Sequence, residues 1–157
     1  MNLKAISPYC STFLLKKNNG EMKYRNILLV NDTNDDAEIF VLVLNAISDK
    51  IRSSVESSAL EALKKLQDSK LAPDIIFLDY NMPYLDGSGF LKLLRDIKGL
   101  KRIPVVLYSR DSGLMIEEAM TKFNGVQFLK KRTNFRKLFK SLQNIIISEK
   151  PEEKFSF

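Results

Sequence analysis

Histidine does not occur anywhere in the 157 residues. Imidazole acid–base chemistry is therefore excluded, and a zinc site loses its usual nitrogen ligand. Cysteine occurs once, as Cys10. A lone thiol closes no internal disulfide, which fits a reducing compartment and points to a cytoplasmic location. No apolar run approaches the roughly 20 residues that span a bilayer, so no membrane partner is expected. The opening MNLKAISPYCSTFLLKKNNGE holds no apolar stretch long enough for a signal-peptide core, which argues against export. Acids are the scarcer charge: 19 Asp and Glu face 25 Lys and Arg, for a net charge of +6. What is present, 45% hydrophobic residues, suffices for one buried core and falls short of two ordinary domains.

Against that basic background, NILLVNDTNDD (26–36) gathers acids directly after a short apolar run. Ile27 to Val30 reads as a buried strand, and Ala37, Phe40, Val41, Leu44 and Ile47 follow at helical spacing. The alternation then repeats. Ile51 to Val55 is a weaker strand, with a helical stripe through Leu60, Leu63 and Leu66 that stops before Pro73. Asp74 to Asp79 is a strand, and Phe90, Leu91, Leu94 and Ile97 mark a helix ended near Gly99. Pro104 to Ser109 is the fourth strand, followed by Ile116, Ala119, Met120 and Phe123 on a helix. Val126 to Leu129 is the fifth strand, and Phe135, Leu138, Phe139, Leu142 and Ile145 complete the last helix. Five strands alternating with five helices imply an α/β, doubly wound, five-stranded parallel sheet with helices on both faces. The expected organisation is an N-terminal extension over 1–22, poorly ordered or preceding a true start at Met22. A domain over 23–148 and a short charged tail over 149–157 follow.

In such sheets ligands bind outside the carboxyl ends of the strands. Those ends carry Asn31-Asp32, Asp79, Ser109 and Lys130-Lys131. A carboxylate pair on a shallow rim suits a hard divalent cation, since Mg2+ takes one or two carboxylates and keeps several waters. Asp79 has the chemistry of a nucleophile that forms an acyl phosphate. The cation and a Lys131 ammonium would neutralise a transferring phosphoryl group, and the Ser109 hydroxyl would hydrogen-bond one of its oxygens. Taken singly, each residue has an ordinary structural explanation: an Asp after a strand is commonly a helix cap or turn residue, as expected for Asp35 or Asp36. The coincidence of all four strand ends carries the functional reading.

ILLVNDTNDDAEIF, DIIFLDYNMPYLDGSGFLKLLR, IPVVLYSR and GVQFLKK together resemble the receiver domain of two-component response regulators. The resemblance spans residues 24–147 and is close to single-domain receivers that partner phytochrome-like and other sensor kinases. It implies a flavodoxin-like strand order of 2-1-3-4-5. It also implies a phosphoacceptor at Asp79 and a metal site for Mg2+, or Mn2+, from Asp32, Asp79 and the backbone carbonyl of Asn81, with Asn31 reached through water. Ser109 takes the place of the family's switch hydroxyl, Lys131 that of its lysine, and Phe128 that of its rotating aromatic. Strand alternation puts Phe128 and Lys130 on one side and Lys131 on the other, which favours Lys131 for the lysine role. Pro83 would stiffen the loop after Asp79, and Gly87 would permit a tight turn where a helix begins.

Three positions depart from the family pattern. Asn31 replaces the first of two acids, which keeps an amide acceptor but removes a charge and predicts weaker Mg2+ binding. Arg110 follows the switch hydroxyl where a small residue is usual; its side chain has reach enough to cover a phosphoryl group, and pointing into solvent is the equal alternative. Arg132 stands where the family has proline after a cis bond. Because a cis bond before a non-proline residue costs ~3–4 kcal/mol, trans geometry is expected.

The resemblance implies a signalling phosphoacceptor rather than an enzyme, charged by a sensor histidine kinase or a histidine phosphotransfer protein. A homodimer or effector contact is expected through the fourth helix, fifth strand and fifth helix. From Lys98 to Lys140 eleven Lys and Arg face three acids, which suits an acidic protein partner or a plainly solvated surface. Without a helix-turn-helix or zinc motif, nucleic acid is not expected as a ligand. One alternative is an atypical receiver that binds partners without phosphorylation. A remoter one is a haloacid-dehalogenase-like phosphohydrolase, whose second Asp is replaced here by Asn81.

Overall fold

A computed structural model of the chain describes residues 20–148. The expectations for 1–19 and for the tail from 149 lie outside those residues. Five parallel strands form the central sheet: β2 (Asn26–Val30), β3 (Arg52–Glu56), β4 (Ile75–Asp79), β5 (Val105–Ser109) and β6 (Val126–Lys130), in the spatial order β3-β2-β4-β5-β6. Counted over these five alone, that is the expected 2-1-3-4-5 order. Between them run α1 (Asn34–Ile47), α2 (Ala59–Gln67), α3 (Gly87–Asp96) and α4 (Leu114–Lys122), with α5 (Phe135–Ile146) after β6.

The sheet's alternating side chains feed two cores. Leu28, Val30, Ile76, Leu78, Val105 and Leu107 face α2, α3 and α4. Ile27, Leu29, Ile75, Phe77, Val106 and Tyr108 face α1 and α5. β4 and β5 are buried along their whole length because helices cover both faces. The edge strand β3 reads RSSVE and is largely open to water. On the α1–α5 side, Phe40 is fully buried and sits edge-on to Phe77 at 5.0 Å and Tyr108 at 5.4 Å between ring centroids. That geometry suits the aromatic quadrupole.

Three helix starts are capped by short polar side chains, whereas Thr33 at the start of α1 makes no side-chain cap. Ser58, Asp86 and Asn134 accept hydrogen bonds from the main-chain N–H groups of Glu61, Gly89 and Lys137. At the amino ends of the strands, Asp74 accepts from the N–H groups of Arg25 and Asn26, at 2.9 and 2.8 Å, and so fixes the entry to β2.

Several sequence expectations need correction. Leu60 and Met120, assigned to helical core stripes, are 56% and 40% exposed; on α2 it is Ala59 and Ala62 that pack beside the expected Leu63 and Leu66. Gly87 does not occupy the left-handed region; Gly99 and Gly125 do. Glycine is needed at 87 because the Tyr80 ring lies against its α-carbon, where a Cβ would collide. The trans bond expected before Arg132 is what the structure has, and no described peptide bond is cis. Finally, Glu21–Met22 (β1) pairs antiparallel with Ile147–Ser148 (β7), joining the start of the described chain to the end of α5.

Candidate functional site

At the carboxyl ends of β4, β5 and β6, direct contacts join four of the residues singled out from the sequence: Asp79, Asn81, Ser109 and Lys131. Asp79 ends β4, only 5% exposed although it is a carboxylate. One of its oxygens, Oδ2, accepts a hydrogen bond from Lys131 Nζ at 2.9 Å, and Oδ1 accepts from the Asn81 main-chain N–H at 3.1 Å. Burial of a charged carboxylate is tolerable only with such partners. Lys131 is set by the sheet. It follows β6 immediately, its N–H donates to the Ser109 carbonyl at 2.7 Å, and its ammonium lies 5.3 Å from the Tyr108 ring centroid. Phe128, on the other side of β6 from Lys131, packs half-buried against the core under α2, α3 and α4.

Ser109 closes β5 and is fully buried. Its hydroxyl accepts a hydrogen bond from the Asn81 side-chain amide at 3.4 Å. Asn81 therefore links the loop after Asp79 to the hydroxyl at the end of β5 through its side chain, a contact the sequence reading had not assigned. Asp32 is exposed on the loop after β2, next to buried Asn31.

Asn31 is held more tightly than its position among polar residues suggested. Its Oδ1 accepts from the Thr33 N–H at 2.8 Å, forming an Asx turn into α1. Because the oxygen is fixed in that turn, the amide nitrogen takes the remaining direction, and this Nδ2 is buried with no hydrogen-bond partner. An amide thus presents an N–H2 group where a carboxylate would present a second oxygen.

Asp36 is the site residue that sequence reasoning missed. Its Oδ2 lies 3.0 Å from Lys131 Nζ and its Oδ1 lies 3.7 Å from Arg110 Nη2. Lys131 is therefore shared between two carboxylates, Asp36 and Asp79. The missed signal was helical phase: Asp36 stands one turn beyond Asp32, on the face of α1 that looks back at the rim. The local field also acts on Tyr108, whose phenol is raised from its ordinary 10.0 to about 12, mainly by burial and then by Asp36 and Asp79, with Arg110 opposing.

Among the described residues no cluster of three His, Cys, Asp or Glu side chains is arranged to cage a metal. The oxygen donors available after β2 and β4 are the Asp32 and Asp79 carboxylates and the Asn81 carbonyl. That oxygen set fits Mg2+ or Mn2+, which tolerates few protein ligands, and does not fit a soft-metal centre.

The sequence profile of the response regulator receiver domain matches residues 27–143. The chain belongs to that family. Response regulator Rcp1 from Synechocystis sp. is 30% identical over 124 residues, covering 76% of this chain and 84% of Rcp1. The solved Mn(2+)-bound form of Rcp1 superposes with a TM-score of 0.67 at 29% identity, over 77% of this chain and 91% of that one. A phosphorylated cyanobacterial phytochrome response regulator, RcpA, gives 0.69 at 25% identity, over 78% and 91%. Some relatives are far longer: the chain spans 21% of a protein-glutamate methylesterase/protein-glutamine glutaminase from Rhodopseudomonas palustris, at 35% identity over 53% of this chain. The receiver family is a signalling family, which sets the phosphohydrolase alternative aside.

Proposed function

We propose that this receiver is a response regulator of the Rcp1 type that accepts a phosphoryl group on Asp79. The donor would be the phosphohistidine of a sensor histidine kinase or phosphotransfer protein. In the reaction an Asp79 carboxylate oxygen attacks phosphorus, the phosphorus–nitrogen bond breaks, and its electron pair leaves with the imidazole. The observation that carries this reading is the environment of Asp79: a buried carboxylate at a strand end, held by the Lys131 ammonium at 2.9 Å and the Asn81 N–H at 3.1 Å. Both donors fix the nucleophile, and Lys131 stays beside the charge that develops on the transferring group.

Asp32, Asp79 and the Asn81 carbonyl would hold Mg2+ or Mn2+, which supplies further charge neutralisation at the phosphoryl oxygens. Asn31 weakens that site because its oxygen is engaged with Thr33 and its other polar atom is a donor. Ser109 would turn from Asn81 toward a phosphoryl oxygen, and Phe128 would follow into the space beside it. The change would be read on α4, β6 and α5, where Leu114 and Met115 are already exposed, by an effector or a second copy. The family and the absence of a membrane-spanning helix among the described residues support a cytoplasmic setting.

Incubation with a phosphorylated histidine kinase domain and Mg2+ should add the mass of one phosphoryl group in an acid-labile form. Asp79→Asn should add none. Asn31 and Arg110 also favour a second reading, in which the domain binds partners without phosphorylation. A wild-type protein that stays unmodified while binding its partner would establish that alternative.

A further inference from the structure

The carboxylate of Asp36 is the one strongly placed charge on the rim to which the phosphoacceptor chemistry assigns no task. It lies in the first turn of α1, where a negative charge complements the helix dipole. That accounts for an acid there but not for its contacts. Its neighbour Asp35 satisfies the same dipole while remaining exposed, whereas Asp36 turns each of its oxygens onto a different cation from across the sheet. These are Lys131 after β6, at 3.0 Å, and Arg110 after β5, at 3.7 Å. Of the two, Lys131 is nearly buried, 10% exposed at its side chain, and Arg110 is open to solvent. The firmer contact is thus to the same ammonium that holds Asp79.

We propose, on the basis of the phosphoacceptor reading, that Asp36 is a positioning residue that competes with the phosphoryl group on Asp79 for Lys131. In the unphosphorylated site, Asp36 and Asp79 neutralise Lys131 together, and the second Asp36 oxygen holds Arg110 toward the β2–α1 edge of the rim. A phosphoryl group on Asp79 adds negative charge beside Lys131 and must draw the ammonium from Asp36. The like charge of Asp36 also repels it. Asp36 therefore biases the domain toward its unphosphorylated arrangement. The charge missing from the metal side at Asn31 and the charge present on the lysine side at Asp36 act in the same direction, so the site demands a strongly bound donor.

Beryllium fluoride, an aspartyl-phosphate mimic small enough to bypass donor docking, provides the test. It is titrated with Mg2+ into the full chain and followed by amide NMR shifts of the rim. Asp36→Asn keeps the side-chain shape and removes the charge; it should bind about tenfold more tightly than wild type, equivalent to ~1.4 kcal/mol. Asp36→Glu restores the charge and should return affinity to within about threefold of wild type, which a purely structural role would not produce. Equal affinity for wild type and Asp36→Asn, or weaker binding by the variant, overturns the competition. Absence of binding in both proteins overturns the phosphoacceptor reading and this inference with it.

Discussion

At the rim, single side chains decide how well the domain tolerates a second negative charge. Asn31 is the clearest case, because its amide satisfies the Thr33 N–H and leaves Nδ2 buried without a partner. Asn31→Asp would keep the first contact and replace the orphaned donor with an acceptor and a charge. A charge about 5 Å from a cation is worth ~3 kcal/mol at an effective dielectric near 20 before desolvation is subtracted. A net gain of about tenfold in Mg2+ affinity is expected by calorimetry, and an unchanged affinity would contradict this account of Asn31. Tyr108 reports the same field from below. With its phenol raised from 10.0 to about 12, the folded state holds that proton more tightly than the unfolded chain does. The associated stability is complete below about pH 10 and is lost as pH rises toward 12. The ultraviolet difference titration of wild type against Tyr108→Phe should isolate one tyrosinate with a midpoint near 12. Asp79, Ser109 and Lys131 were legible in the sequence because each ends or directly follows a strand, where topology alone fixes the neighbourhood. Asp36 was not, because a first-turn acid has a sufficient local explanation and only the fold shows that its oxygens reach β5 and β6.

Among the elements, the turn from β4 into α3 positions the loop that carries Asn81. Gly87 allows the Tyr80 ring to lie flush on the start of α3, and the Tyr80 hydroxyl shares a hydrogen bond with Ser88 at 3.1 Å. Gly87→Ala should cost about 1–3 kcal/mol in urea denaturation, since the ring is buried and has little space to retreat. That loss would occur despite alanine's better helix propensity; a stabilised variant would show that the contact is slack. Helix positions and faces were readable from apolar spacing, but the choice between neighbouring apolar residues was not. Leu60 and Met120 have the right spacing for a core and stand at its margin, where alanines at 59, 62 and 119 allow the helices to approach the sheet.

At the level of the whole molecule, the parallel sheet and its two cores hold four strand ends in register along one rim. Phe40 lies at the centre of the α1–α5 core, against rings from β4 and β5. Phe40→Ala should therefore lose about 3–5 kcal/mol by thermal or chemical denaturation. A loss below 1 kcal/mol would mean that the core collapses around the gap. The parallel order followed from the alternation of strand and helix. The ribbon of β1 and β7 was not legible, because two-residue strands carry no periodicity and their partners are separated by nearly the whole domain. The central claim is that this framework makes Asp79 a phosphoacceptor. Its most direct test is borohydride trapping after phosphotransfer, which reduces an aspartyl phosphate to homoserine that peptide mass spectrometry can place. The account predicts homoserine at position 79 and nowhere else; homoserine at 32 or 36, or none from a protein shown to be phosphorylated, would contradict it.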